Sequence, residues 1–241
     1  MQETGGGKLS VVATPIGNLE DITLRALRIL KEADVVACED TRTTKKLLTH
    51  FDIHTPTTSF NAQSGERGFE KIISLLEEGK HVALVSDAGT PGVSDPGLEL
   101  VSKVRETAQT IEAIPGPSAL AAALSVSGLR AASFTFYGFL PLKKGRETLF
   151  KEIAMSERAS VFYESPHRIM KALESLQKFL NAPSLVNATE GKTGRRVGIY
   201  RELTKLHEEH VVGSIDAVIE HFTTNPDRIR GEFVVIVEER K

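Results

Sequence analysis

The sequence predicts a two-domain α/β protein, with a parallel sheet in its N-terminal half and a mixed sheet in its C-terminal half. Three observations carry this. Through the first half, short apolar runs alternate with amphipathic helical stretches, the pattern of crossover units that build parallel sheets. Beyond a turn-rich stretch at Gly128 to Ser133, strand-like runs follow one another with short connections, which favours antiparallel pairing. The chain has 241 residues, enough for two domains that each bury a core. The expected division is a loose tail over residues 1–8, one domain over 9–128 and a second over 129–241.

The elements follow in order. Leu9 to Ala13 reads as a buried strand. Asp21 can cap a helix whose Leu24, Leu27 and Leu30 form one apolar stripe. Asp34 to Cys38 is the next strand, and Thr41 to His50 a short basic helix. A helix over Phe69 to Glu78 closes at Gly79, and His81 to Val85 is again a strand. A glycine- and proline-rich turn leads to a helix over Leu98 to Glu106, then a strand near Ile111. In the second half come a strand at Phe134 to Phe139, a helix at Gly145 to Met155, a strand at Ala159 to Tyr163 and a long helix from Pro166 to Phe179. Strands at Leu185 to Thr189, Val197 to Arg201 and Glu208 to Val212 precede a helix at Ser214 to Phe222 and a last strand at Glu232 to Val237.

Composition excludes several classes. No run of 18 apolar residues exists, so no membrane span is expected, and Met1 to Lys8 lacks the apolar core of a secretory signal. Cys38 is the only cysteine, which rules out intrachain disulfides and a cysteine-built zinc site and suits a soluble, cytoplasmic protein. The net charge of −2 means that any nucleic acid would be met by a local basic patch.

Ligands of open parallel sheets bind beyond the carboxyl ends of the strands, and here those turns are unusual. They are Thr14 to Asp21, Glu39 to Arg42, Ser86 to Gly97 and Ile114 to Ala119. The Ser86 to Gly97 turn holds Gly89, Gly92, Gly97, Pro91 and Pro96 beside Asp87 and Asp95, so backbone amides could approach a ligand within a fixed loop shape. One such turn alone would be explained as a crossover loop capped by Asp95; four at one edge point to a ligand site. The chain has no G-x-G-x-x-G and no P-loop, and no metal-ligand spacing occurs among its histidines. A hydrolase triad could be drawn from Ser118, His167 and Asp87, but no G-x-S-x-G elbow supports it.

Seven ordered segments resemble one family. They are Val12 to Asp21, Cys38 to Arg42, Ser86 to Gly97, Pro115 to Leu120, Phe136 to Pro141, Tyr163 to Arg168 and Arg201 to Lys205. Together they resemble the bacterial 16S ribosomal RNA 2′-O-ribose methyltransferases that modify a cytidine in the decoding centre, of the tetrapyrrole methylase-like fold. The resemblance runs from Leu9 to Glu239. It implies a homodimer that binds S-adenosyl-L-methionine between its two domains and acts on 16S rRNA or the small ribosomal subunit. Members commonly continue into a C-terminal helical extension, whereas this sequence stops at Lys241, which puts the family's auxiliary RNA-binding surface in doubt but not its methyl-transfer core.

By the resemblance, the cofactor meets Pro15, Ile16, Gly17, Asp87, Thr90, Ser118 and Ala119, with Tyr163, Glu202 and Leu203 on the adenine side. Ser118 serves equally as a helix cap, and Tyr163 as core packing. Glu39, Asp40 and Arg42 share a strand end, so a carboxylate base with a guanidinium for phosphate is one reading; an ion pair capping the next helix is the other. Glu164 and His167 are lesser candidates for the base. Lys45 and Lys46, then Lys143, Lys144 and Arg146, then Lys192, Arg195 and Arg196 form three basic clusters, and Arg168 is a further cation for RNA. Two alternatives stay open: a sister enzyme that methylates a tetrapyrrole or another small molecule, and a non-catalytic RNA-binding assembly protein.

Overall fold

The computed structural model of the chain describes residues 6–60, 65–181 and 194–240. It divides into two compact units, Met1–Ser118 and Ala119–Lys241. The division thus falls earlier than the turn at Gly128. The reason is packing: the helix Ala119–Val126 lies against the last strand of the second unit.

The first unit is a five-stranded sheet of order β3-β2-β4-β1-β5. Its strands are β1 (Lys8–Val12), β2 (Val35–Cys38), β3 (Thr57–Ser59), β4 (His81–Leu84) and β5 (Thr110–Ile114). Every pairing is parallel. The helices α1 (Leu24–Glu32), α2 (Thr41–His50), α3 (Gly65–Glu77) and α4 (Gly97–Arg105) connect them. Both sheet faces are covered. One core packs Ile29 and Leu30 of α1 and Leu48 of α2 on Val12, Val36 and Val85; the other packs Ile72 and Leu76 of α3 and Leu100 and Val104 of α4 on Leu9, Val82 and Leu84. That is why these strands read as unbroken apolar runs.

Three expectations shift here. The cap of α1 is Thr23, whose Oγ1 accepts the Ala26 N–H at 3.0 Å, while Asp21 lies in a preceding 3-10 turn capped by Asn18. The loose tail ends before Lys8: Gly7 is buried, donates to Leu76 O at 3.1 Å and accepts from Thr110 N–H at 3.2 Å. The strand β3 was not foreseen.

The second unit is a mixed five-stranded sheet of order β6-β7-β10-β8-β9. Its strands are β6 (Phe134–Phe139), β7 (Ala159–Glu164), β8 (Val197–Arg201), β9 (Glu209–Gly213) and β10 (Phe233–Val237). Only the β6–β7 pair is parallel among the described pairings; β7–β10, β10–β8 and β8–β9 are antiparallel. The helices are α5 (Ala119–Val126), α6 (Arg146–Met155), α7 (Ile169–Leu180) and α8 (Ile215–Thr224). Phe150, Ile153, Leu173, Leu176, Val218 and Phe222 bury the inner helix faces on Phe162, Ile199, Phe233 and Val235. The strand expected at Leu185 to Thr189 lies outside the described residues. No helix among the described residues is long and apolar enough to cross a membrane.

Candidate functional site

In the first unit the unusual turns meet at the carboxyl ends of β1 and β4. These are adjacent strands whose following connections run to opposite sides, the place where open α/β sheets bind ligands. Thr14 and Gly89 clasp the two turns together, with Thr14 N–H donating to Gly89 O at 2.9 Å and Gly89 N–H to Thr14 O at 3.0 Å. Thr90 Oγ1 ties the third turn in by donating to Pro117 O at 3.0 Å. Asp95 Oδ1 shapes the long turn by accepting the Gly92 and Gly97 N–H groups at 2.8 and 2.7 Å. Gly89 has φ +82°, a conformation closed to most side chains, and a Cβ there would stand 3.4 Å from Ile16 Cγ2.

Beside this clasp lies a cavity of about 310 Å³. Its walls come from Thr14 to Gly17 and Leu19 after β1, from Val85 to Ala88 after β4, and from Thr43, Thr44, Lys46 and Leu47 of α2. Four expected cofactor residues, Pro15, Ile16, Gly17 and Asp87, therefore share one cavity, and Lys46, expected to meet RNA, joins them. Its neighbour Lys45 is exposed but does not line it. Thr90 and Ser118 belong to the adjoining turns, and Ala119 begins α5.

The carboxylates here have different fates. Asp40 caps α2 by accepting the Arg42 N–H at 2.8 Å, and it grips the Arg42 guanidinium at 2.7 Å. Those bonds hold its carboxyl down at about 2. Arg42 is thus a tethered partner and Asp40 a poor proton acceptor, the ion-pair reading rather than the base-and-fork one. Asp40 N–H in turn donates to Asp87 Oδ1 at 3.2 Å, which fixes Asp87 at the cavity wall. Glu39 differs: burial first, then the charges of Asp95 and Asp87, push its carboxyl up to about 7, against a hydrogen bond from the Asp87 backbone. Burial also raises Asp87, partly countered by the Asp40 N–H.

In the second unit, Glu164 ends β7 fully buried. Its Oε2 meets Arg146 Nη2 at 2.7 Å, and its Oε1 meets Arg168 Nη2 at 2.8 Å and the Ser165 N–H at 2.9 Å. Arg146 also donates to Pro141 O and Arg168 to Leu140 O, so both arginines pin the loop after β6 to the loop after β7. This removes Glu164 as a candidate base, because two guanidinium groups already occupy it. It also makes Arg146 and Arg168 structural clasps first, beside an exposed Lys143, Lys144 and His167. Arg195 is a correction. Its side chain is buried and donates to Glu238 O at 2.6 Å and to Ile153 O and Ala154 O at the end of α6, so it stabilises the fold and offers no surface to RNA. Arg196 is held by Glu238 at 2.8 Å, and Lys192 lies outside the described residues. Tyr163 packs edge-on against Phe136 and Phe139 with ring centroids 5.0 and 5.4 Å away, and burial pushes its hydroxyl up to about 12. Glu202 sits at φ +51° and pairs with Lys205 at 2.8 Å, next to a buried Leu203.

The family model of the tetrapyrrole (corrin/porphyrin) methylases matches residues 8–219. A ribosomal RNA small subunit methyltransferase I from Thermotoga maritima is 41% identical over 235 residues, 98% of this chain and 100% of that protein. Its namesake from a Hydrogenobaculum species is 44% identical over 234 residues, 96% of each. The chain belongs to the tetrapyrrole methylase family. Among solved members, uroporphyrin III C-methyl transferase from Thermus thermophilus superposes with a TM-score of 0.64 at 20% identity, covering 97% of this chain and 98% of that one. A cobalt precorrin-4 methyltransferase superposes with a TM-score of 0.63 at 16% identity. Identities this low establish the tetrapyrrole methylase fold and nothing finer.

Within this methylase fold, sequence reasoning missed the α2 wall of the cavity. Thr43, Lys46 and Leu47 stand at i, i+3 and i+4, the spacing that puts residues on one helix face. That face was legible; what it faces was not.

Proposed function

We propose that this chain transfers the methyl group of S-adenosylmethionine to a ribose 2′-hydroxyl of a cytidine in the decoding centre of 16S ribosomal RNA. It is an S-adenosylmethionine-dependent rRNA methyltransferase; the ribose oxygen, the cytidine and its place are the finer part of the proposal. The observation that carries it is identity above 40% over nearly the whole chain with relatives named ribosomal RNA small subunit methyltransferase I. The single buried cysteine supports a cytoplasmic setting, and the family resemblance supports a homodimer.

The residues fit the cofactor. A backbone left bare at Gly89, a clasped set of turns and a group of carboxylates suit a cationic sulfonium ligand. We assign its binding to Pro15, Ile16, Gly17, Asp87, Thr90 and Ser118 on the turns of the first unit. When bound, it supplies an electrophilic methyl on a positively charged sulfur. The chain must then align the ribose oxygen with that methyl, because positioning supplies much of the acceleration. Glu39 would accept the proton that the ribose hydroxyl gives up as its oxygen takes the methyl group. Burial, then the charges of Asp95 and Asp87, raise its carboxyl to about 7, close to neutral solution, where a general base works best. Lys143 and Lys144, exposed after β6, contact RNA phosphate.

The test is transfer of labelled methyl groups to small ribosomal subunits. Label on a cytidine ribose is expected. Label on a base, or on an added tetrapyrrole instead of RNA, would overturn the reading.

A further inference from the structure

We propose that the exposed face of α2 is a phosphate track, on which the backbone of the substrate RNA lies as it approaches the methyl-donor turns. The proposal rests on the rRNA methyl-transfer reading above and adds the surface that guides the RNA.

The helix α2 has two faces. Thr44 and Leu48, at i and i+4, are buried, and Leu48 packs into one core of the first unit. Arg42, Lys45, Lys46, Thr49 and His50 are exposed, and their spacing of i, i+3, i+4, i+7 and i+8 makes them one stripe. The helix carries no acidic residue. Each other described helix with a lysine or arginine also carries a glutamate. The whole chain holds 32 acidic residues against 30 lysines and arginines, so charge is mixed elsewhere and sorted on α2.

Sorting of this kind works against the fold. Lys45 and Lys46 stand at i+3 and i+4 from Arg42, and like charges at those spacings destabilise a helix. The cations also crowd toward the N-terminal half, where the helix dipole is already positive. Asp40 answers Arg42 with an ion pair at 2.7 Å. Among the described residues, no carboxylate stands within ion-pair distance of Lys45 or Lys46. The folded chain gains nothing from these charges, and an external anion accounts for them.

A polymer of regularly spaced charge fits the stripe better than a single small anion. From Arg42 to His50 it runs about 12 Å, the length over which one nucleic-acid strand shows about three phosphates. Its place also suits the reaction. Only Glu39 and Asp40 separate the end of β2 from the start of α2, so the stripe begins at the sheet edge that holds the candidate site. Lys46 lines the cavity there. A strand lying on the stripe therefore leads to the turns assigned to the methyl donor.

Two variants with opposite expected effects test this, both at exposed positions that do not line the cavity. Lys45→Gln should lower the slope of log affinity for 16S rRNA against log salt by about 0.7–0.9 and raise KM for the small subunit roughly threefold. Thr49→Lys should steepen the slope by the same amount and lower KM roughly threefold, a gain that misfolding cannot produce. Calorimetric affinity for S-adenosylmethionine should be the same in both variants and the parent. Equal slopes in all three proteins would reduce the stripe to a solvated face and overturn the proposal. A slope that shifts with assembled subunits but not with protein-free 16S rRNA would place a protein on α2, and overturns it too. A parent chain that binds RNA with the expected slope yet transfers no methyl group would sink the function proposed above and leave the track standing.

Discussion

Replacing Glu39 with glutamine should make the protein more stable above neutral pH and far less active. Burial and two neighbouring carboxylates move this group from 4.5 to about 7, a difference of about 3.4 kcal/mol unscreened, which its half-exposed position reduces to about 1–2 kcal/mol. The sign follows from which state holds the proton. Below the unfolded value of about 4.5 both states are protonated and Glu39 costs nothing. Between that value and about 7 the folded state binds the proton more tightly, so stability declines as pH rises and the full cost stands above about 7. Glutamine has no charge to desolvate and removes this decline. Activity moves the other way. If Glu39 takes the hydroxyl proton, kcat should rise with pH through about 7 and be about tenfold below its plateau one unit lower. Urea unfolding at pH 6 and pH 8, with single-turnover methyl transfer across the same range, checks both halves. A Glu39→Gln enzyme that keeps its rate, or loses stability at pH 8, would refute the assignment of Glu39 as a strained base.

Other predictions follow from the ion pairs. Glu164→Ala leaves two partly exposed guanidinium groups facing each other without the carboxylate they share and should cost about 1.5–3 kcal/mol in urea unfolding; a cost below about 1 kcal/mol would mean the clasp contributes little. Glu238 is held down at about 2 against its burial by hydrogen bonds from Arg196 and the Arg130 backbone. Its contribution is complete above about 4.5 and lost as pH falls toward about 2. Thermal midpoints of Glu238→Gln should accordingly converge with those of the parent in acid and fall below them at neutrality. Lys143→Glu combined with Lys144→Glu should weaken RNA binding and lower the salt-dependence slope by roughly 2, with calorimetric affinity for the cofactor unaltered. A slope that does not change would place the phosphates elsewhere.

Much of this architecture was legible because physical causes act locally. The strands at Val35–Cys38 and His81–Leu84 are buried on both faces and so spell continuous apolar runs. The antiparallel turn of the second sheet could be read from the short link between Val197–Arg201 and Glu209–Gly213. Elsewhere, tertiary context decided. The three residues of Thr57–Ser59 form a strand only because β2 offers an open edge. Asp21 and Thr23 could each cap α1, and the Thr23 hydroxyl, three residues ahead of Ala26, is the one that reaches. Arg195 shows the main limit of reading charge from sequence. A guanidinium among other cations looks solvated, yet this one closes the end of α6 inside the protein. At the candidate site the turns announced themselves by composition, whereas the contribution of α2 depended on which turns it came to face.

Binding of the methyl donor is the most direct test of the whole account. A crystal grown with S-adenosylhomocysteine should show it against the Pro15 to Gly17 turn, Asp87 and Thr90, next to Ser118. Density for it at any other place, with those turns bare, would contradict the account.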